Sequence, residues 1–347
     1  MLACTLCAGF PALKAMPALN LKLLFSVLVA LSPAVLAQAP KSDATERAAL
    51  AAELATKNGL SGAQILPLLE QAKYQQSIID AITRPAEAKP WSAYRPIFMT
   101  ESRISDGQRF LSENRAALDP ISSSTGVPAE LIVAIIGVET NYGKITGSYR
   151  VLDALYTLGA HYPPRQDFFR AELAQVFLLA QEENLDLNQI KGSYAGAMGW
   201  GQFMPSSYRH YAKDGDGDGR RDLFGSKPDI FASIANYFVA HGWQSGQPVA
   251  LPARWASSTQ APPKSSGLKP EFTAAQLRES GVQWDAELAD SVPATVLTLE
   301  GSEGREYWLT FDNFYVISRY NRSPLYSMAV LQLAEALAAD SQAAQAP

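Results

Sequence analysis

The stretch Leu131-Ile-Val-Ala-Ile-Ile-Gly-Val-Glu139-Thr-Asn-Tyr-Gly143 decides how the rest of the chain is read. From Leu131 to Gly137 no side chain is polar, and then one carboxylate appears, Glu139. Pro128 and Glu130 suit the first turn of a helix and Gly143 suits its end. A helix apolar on every face is a buried one. On it Glu139 lies over Ile132, Ile135 and Ile136, so its carboxyl is hard to ionise and its pKa is expected to rise. A carboxylic acid still protonated near neutral pH suits a general acid. The same stretch also suits a buried Glu bonded to a structural partner, and the helix alone does not decide between the two.

Composition narrows the field. The chain has 347 residues, 47% of them apolar, enough for a substantial core. The net charge of -5 and the lack of any dense Lys/Arg cluster argue against a nucleic-acid binder. Residues 1–37 have Lys22 near the start of an apolar run and Val35-Leu36-Ala37 at its end, the make-up of a secretory signal peptide cut after Ala37. Both cysteines, Cys4 and Cys7, precede that cut, so the mature chain holds no thiol and an oxidising compartment suits it. No later stretch has the length and apolarity of a membrane span. An exported, soluble, periplasmic product is expected, with no organic cofactor.

The mature chain reads as mostly helical. Residues 38–45 look like a flexible start, and 45–83 show helical spacing broken near Gly59 and Gly62. Three prolines in 85–96 suggest an extended connection, with Trp91 packed inside. Helices are expected over 105–118, over 167–183, after the Gly-rich stretch at 192–208, over 230–241 and over 325–338. Residues 247–310 are richer in Pro, Ser, Thr and Val, with strand-like runs at 295–299 and 307–310, and read as a small α+β insertion. Residues 311–320 read as an aromatic, extended return segment, and 341–347 as a disordered tail. The expected organisation is therefore a helical region over 38–100, a core over 101–246, the insertion over 247–310 and a return segment with a last helix over 311–340.

Two further stretches concentrate chemistry. Gly192-Ser-Tyr-Ala-Gly-Ala-Met-Gly-Trp-Gly-Gln202-Phe-Met-Pro-Ser-Ser-Tyr208 combines glycines that allow close backbone approach with neutral polar groups and flat aromatic faces, a mixture suited to a sugar ring. Phe311-Asp-Asn-Phe-Tyr-Val-Ile-Ser-Arg319-Tyr320-Asn321-Arg-Ser-Pro-Leu-Tyr326 again gathers Tyr, Asn and Arg. Taken singly, the first also suits a structural turn and the second an aromatic segment packed on a core.

Together with the Glu139 helix, these motifs resemble the lytic murein transglycosylase B family. The matching pieces are Val138-Glu-Thr-Asn-Tyr-Gly143, Gly196-Ala-Met-Gly-Trp-Gly-Gln-Phe-Met-Pro-Ser-Ser207, Ala235-Asn-Tyr-Phe238, His241-Gly-Trp243, Asn313-Phe-Tyr, Arg319-Tyr-Asn321 and Tyr94-Arg-Pro-Ile-Phe98, in the family's order. The resemblance implies a mainly α, α+β fold: a lysozyme-like helical core with flanking helices and a small β-containing insertion. It implies cleavage of the β-1,4 bond between MurNAc and GlcNAc in peptidoglycan, with 1,6-anhydroMurNAc ends formed by attack of the muramyl 6-hydroxyl. It puts the catalytic acid/base on Glu139 and substrate contacts on Tyr94, Arg165, Ser193, Gln202, Tyr237, Tyr320, Asn321 and Tyr326. Pro164 stands where the family often carries another arginine beside Arg165. Ordinary glycosidases use two carboxylates; no second Asp or Glu lies in the cleft motifs, as expected if the substrate supplies its own nucleophile. A hydrolytic, lysozyme-type muramidase and a non-catalytic peptidoglycan-binding protein are the competing readings.

Asp214-Gly-Asp216-Gly-Asp218-Gly219-Arg-Arg-Asp222 follows the start of an EF-hand loop, with carboxylates at alternate positions and Gly at the sharp turn. Where the usual loop closes with a bidentate Glu, this chain has Gly225. The resembled family can close the loop later with an Asp, which points to Asp229. A structural calcium ion held by Asp214, Asp216, Asp218 and Asp229 is expected.

Overall fold

The computed structural model describes residues 43–84, 89–255, 262–263 and 265–343. The signal peptide expected at 1–37 lies outside them. The chain opens with α1 (Asp43–Asn58), α2 (Gly62–Gln71) and α3 (Gln76–Thr83), so the helix begins inside the start expected to be flexible. A four-residue α4 (Trp91–Tyr94) and a 3-10 turn over Arg95–Ile97 follow, where the prolines had suggested an extended run. Burial explains the difference: Trp91 and Phe98 are both about fully buried, at 1% exposure each, and a helical turn brings them to the core together. The segment expected as one helix over 105–118 is two, α5 (Glu101–Glu113) and α6 (Arg115–Thr125). The Thr100 side chain caps the start of α5 by accepting from the Arg103 amide.

α7 (Ala129–Thr140) is the central helix, packed against α5, α6 and two later helices, Lys227–Ala240 and Pro324–Ala343. Every residue of it is buried except Glu130 and Glu139, which are half-buried. Its end is tighter than the sequence suggests. Asn141 and Tyr142 both adopt left-handed φ, 50° and 61°, before Gly143. Tyr142 holds that unfavourable turn by laying its ring on Gly137 and donating its hydroxyl to the Arg103 carbonyl. A Cβ on Gly137 would come within 2.8 Å of that ring, which is why a glycine interrupts the apolar run.

The core continues through β1 (Tyr149–Arg150), α8 (Val151–His161), α9 (Gln166–Glu182), β2 (Lys191–Gly192), α10 (Pro205–Tyr211) and α11 (Lys227–Ala240). The insertion is built from β3 (Ala250–Trp255), β4 (Phe272–Thr273), α12 (Ala274–Glu279), β5 (Val282–Gln283), β6 (Pro293–Gly301) and β7 (Gly304–Thr310). Its antiparallel sheet has the order β4-β6-β7-β3-β5 and its own small core of Leu277, Val282, Ala294, Leu309 and Phe311. The other face, through Leu297 and Leu299, joins the main core.

The return segment is helical, not extended: α13 (Asp312–Tyr320). Phe314, Ile317 and Ser318 share a buried face at helical spacing, a pattern its aromatic content had masked. The last helix, α14 (Pro324–Ala343), runs three residues into the tail expected to be disordered, as Ser341-Gln-Ala contains no helix breaker. Residues 344–347 lie outside the described residues. Among the described residues no single helix is long and apolar enough to cross a membrane; α6 and α7 reach that length only as a pair bent by 115°.

Candidate active site and metal loop

α7 delivers Glu139 to the floor of a cleft whose walls come from the Gly-rich stretch, α10, α11 and α13. Burial lifts the Glu139 pKa from the ordinary 4.5 to about 7, and a hydrogen bond from the Tyr326 hydroxyl to Oε1 (2.6 Å) pulls against that rise. Tyr326, itself buried, is the first substantial turn of α14 meeting the last turn of α7, 187 residues away in sequence. Thr140, next to Glu139, donates to the Trp200 carbonyl (2.9 Å) and so ties α7 to the Gly-rich wall.

Of the residues expected at the site, Ser193, Gln202, Tyr237, Tyr320 and Asn321 line this cleft with Glu139. Their chemistry is partly spoken for. Gln202 sits at a left-handed φ of 50° and gives both amide hydrogens to backbone carbonyls, those of Thr146 and Gly199, so its oxygen is what remains for a ligand. Ser193 Oγ accepts from the Ala197 amide. The hydroxyls of Tyr237 and Tyr320 donate to the carbonyls of Arg319 and Gly201, fixing both rings as rigid faces. Asn321 is buried, and its Oδ1 has no hydrogen-bond partner.

Tyr94, on α4, is not among the residues lining the cleft, but burial first, and then the Glu139 charge, push its pKa up to about 12. Arg165 is not among the residues lining the cleft. Its guanidinium lies 4.2 Å from the centre of the Phe168 ring, at the start of α9. The sequence reading missed Phe203, Met204 and Ser207 as lining residues, although all three stand inside the quoted Gly-rich motif. Among the described residues lining the cleft, Glu139 is the one carboxylate.

A second carboxylate cluster lies in the loop leading to α11. Oxygens of Asp214, Asp216 and Asp229 converge within 4.8 Å of one another. Asp229 is buried at the start of α11, and its two oxygens accept from the Gly215 and Asp222 amides, both at 2.7 Å. The late closing residue thus joins the front of the loop through its own hydrogen bonds. Asp218 is not brought into this group: its Oδ1 accepts from the Arg220 amide and shapes the local turn. The all-oxygen donor set and its convergence fit a hard cation such as calcium. The loop also braces the cleft, since the Trp200 amide donates to the Leu223 carbonyl just beyond Asp222.

Comparison with known proteins places this geometry in context. Residues 42–335 match the model of the transglycosylase SLT domain. The membrane-bound lytic murein transglycosylase B of Escherichia coli K12 is 40% identical over 296 residues, covering 82% of this chain and 81% of that protein. The soluble lytic transglycosylase SltB1 of Pseudomonas aeruginosa superposes with a TM-score of 0.81 at 45% identity, covering 86% of this chain and 99% of that one. The Escherichia coli lytic transglycosylase Slt35, solved in complex with calcium, superposes with a TM-score of 0.77 at 40% identity, covering 85% and 93% of the two chains.

Proposed function

The chain belongs to the transglycosylase SLT domain family and is a lytic transglycosylase of peptidoglycan, and from that premise we propose that Glu139 alone performs its acid–base chemistry. The observation that carries the reading is a half-buried carboxyl with a pKa near 7, the one carboxylate lining the cleft. In the first step the protonated Glu139 gives its proton to the glycosidic oxygen between MurNAc and GlcNAc. The muramyl N-acetyl oxygen supports the anomeric carbon as that bond breaks. Glu139, now a carboxylate, takes the proton from the muramyl 6-hydroxyl as that oxygen attacks the same carbon, leaving a 1,6-anhydro end.

Two-carboxylate hydrolysis has no support in the cleft: a retaining enzyme holds the second group ~5–5.5 Å away and an inverting one ~6.5–9.5 Å. An intramolecular hydroxyl needs placement more than activation, and placement can be worth ~7–11 kcal/mol of barrier. Tyr237 and Tyr320 offer fixed faces for the sugar ring, with Asn321 beside them in the cleft lining. Tyr94, Ser193, Gln202 and Tyr326 complete the proposed contacts, with Arg165 as an outer contact. Calcium held by Asp214, Asp216 and Asp229, with Asp218 shaping the loop, would be structural, a divalent cation neutralising clustered carboxylates. Export by residues 1–37 would bring the enzyme to its polymer in the periplasm.

Digestion of purified sacculi in ¹⁸O-labelled water tests the chemistry. Products should be anhydromuropeptides, unlabelled and lighter by one water than the products of a muramidase. Reducing muropeptides with ¹⁸O at the anomeric carbon would sink the transglycosylation step and favour a hydrolase.

A further inference from the structure

α9 carries a second carboxylate that the proposed chemistry does not use. Glu172 is 4% exposed and sits in the face of α9 formed by Phe169, Leu173 and Val176. Burial pushes its pKa up, opposed by hydrogen bonds from Ser206 and by the charge of Arg165. Among the described residues it takes part in no salt bridge. Its two oxygens go to one residue instead: Oε2 accepts from the Ser206 amide (2.9 Å) and Oε1 from the Ser206 hydroxyl (2.6 Å).

Ser206 is the second residue of α10, so its N–H has no partner inside that helix. Pro205 before it has no N–H, and Met204 at the cap position brings no capping side chain. Glu172 therefore supplies from a neighbouring helix the acceptor that α10 lacks. The residues flanking this clamp, Met204 and Ser207, line the cleft beside Glu139. Ser206 and Ser207 also border an adjoining open hollow with Gln175 and His210, so this turn stands between the hollow and the cleft. Pro205 and Tyr208 anchor the turn in the core, while Ser206 between them is held by its two bonds to Glu172.

We propose that Glu172 is a positioning residue for the glycan cleft, holding Met204 and Ser207 in place through its two-point clamp on Ser206. The inference rests on the cleft around Glu139 being the glycan site. What matters is two hydrogen bonds to one residue, not the charge. A glutamine can supply both, since its oxygen accepts from the amide while its NH₂ donates to the rotatable Ser206 hydroxyl. Alanine supplies neither.

The test uses the full mature chain with the variants Glu172→Gln, Glu172→Ala and Ser206→Ala, each checked by thermal melt. Turnover of sacculi gives kcat and KM across pH. Glu172→Ala should lose ~10- to 10²-fold in kcat/KM, chiefly through KM, as expected for a wall displaced by about an ångström. Glu172→Gln should restore parent values to within about twofold, and the pH limb set by Glu139 should stay put in all three. Parent kinetics in folded Glu172→Ala would overturn the proposal. So would an equal loss in Glu172→Gln, which would make the charge the working feature. Should Glu172→Ala fail to fold, Ser206→Ala carries the test: it removes one of the two bonds, and an unchanged KM there overturns the clamp. Glu139→Gln run alongside separates the two readings, because activity in that variant would remove the acid–base assignment while the KM effect of Glu172 stayed readable.

Discussion

Glu139 and Asp214 are both carboxylates, and their surroundings push them in opposite directions. Glu139 meets apolar side chains and one hydroxyl, from Tyr326, and burial raises its pKa to about 7. Asp214 is exposed, and the amides of Gly217, Asp218 and Gly219 donate to it and hold its pKa below the usual range. A carboxyl with few donors keeps its proton and can give it away; one crowned by amides stays charged and suits a cation. One functional group is thus set in two opposite ionisation states by what lies around it.

The largest effect tests the first half of that contrast. Glu139→Gln should keep the fold and lose ~10²–10⁴-fold in sacculus turnover, the usual worth of acid–base assistance. Near-parent activity would mean the raised carboxyl is structural. The same substitution has a stability signature. Because the Glu139 pKa is raised on folding, the folded chain keeps a proton through the window from 4.5 to about 7 that the unfolded chain has released. Its contribution is therefore most favourable below that window and is lost as pH rises through it. The melting temperature of the parent should fall relative to Glu139→Gln between those limits; parallel curves would contradict the burial argument.

Calcium tests the second half. A ligand bound only by the native state at a hundredfold excess over its Kd adds ~2.7 kcal/mol, several degrees in a thermal melt against chelator. Asp216→Ala should abolish that calcium-dependent rise. Asp229→Ala should abolish it and also lower the melt in chelator, because Asp229 holds the Gly215 and Asp222 amides without any ion. Identical melts with and without millimolar calcium would leave the loop as a hydrogen-bonded turn.

Tyr326→Phe sharpens the comparison more gently. It removes the one hydrogen bond that favours ionised Glu139, so the basic limb of the rate profile should move to higher pH. A shift the other way would show that the Tyr326 hydrogen bond favours the protonated carboxyl instead. The smallest effect is expected at Asp218→Asn. Its oxygen serves the Arg220 amide, and an asparagine oxygen can do the same, so the calcium rise should change little. Loss of the calcium response there would restore Asp218 to the binding set.

Much of this was legible in the chain itself, for local reasons. An unbroken apolar run forces burial of its own helix, so the raised Glu139 follows from its neighbours in sequence. The alternating aspartates and glycines of the metal loop likewise dictate a tight turn with oxygens facing inward. The strands at 295–299 and 307–310 also announced themselves by composition, and they pair as β6 and β7. Other features depended on contacts between distant segments, which local periodicity cannot report. That residues 311–320 form a helix depended on the core they meet, since their aromatic content suits a strand equally well. The partner of Glu139 lies on the last helix, Asp229 rather than Asp218 joins the front of the loop, and Gln202 keeps only its oxygen because two backbone carbonyls claim its hydrogens. The sequence by itself determined which groups were available and how willing each was to ionise; the tertiary structure decided their partners, because a hydrogen bond is settled by position in space and not by distance along the chain.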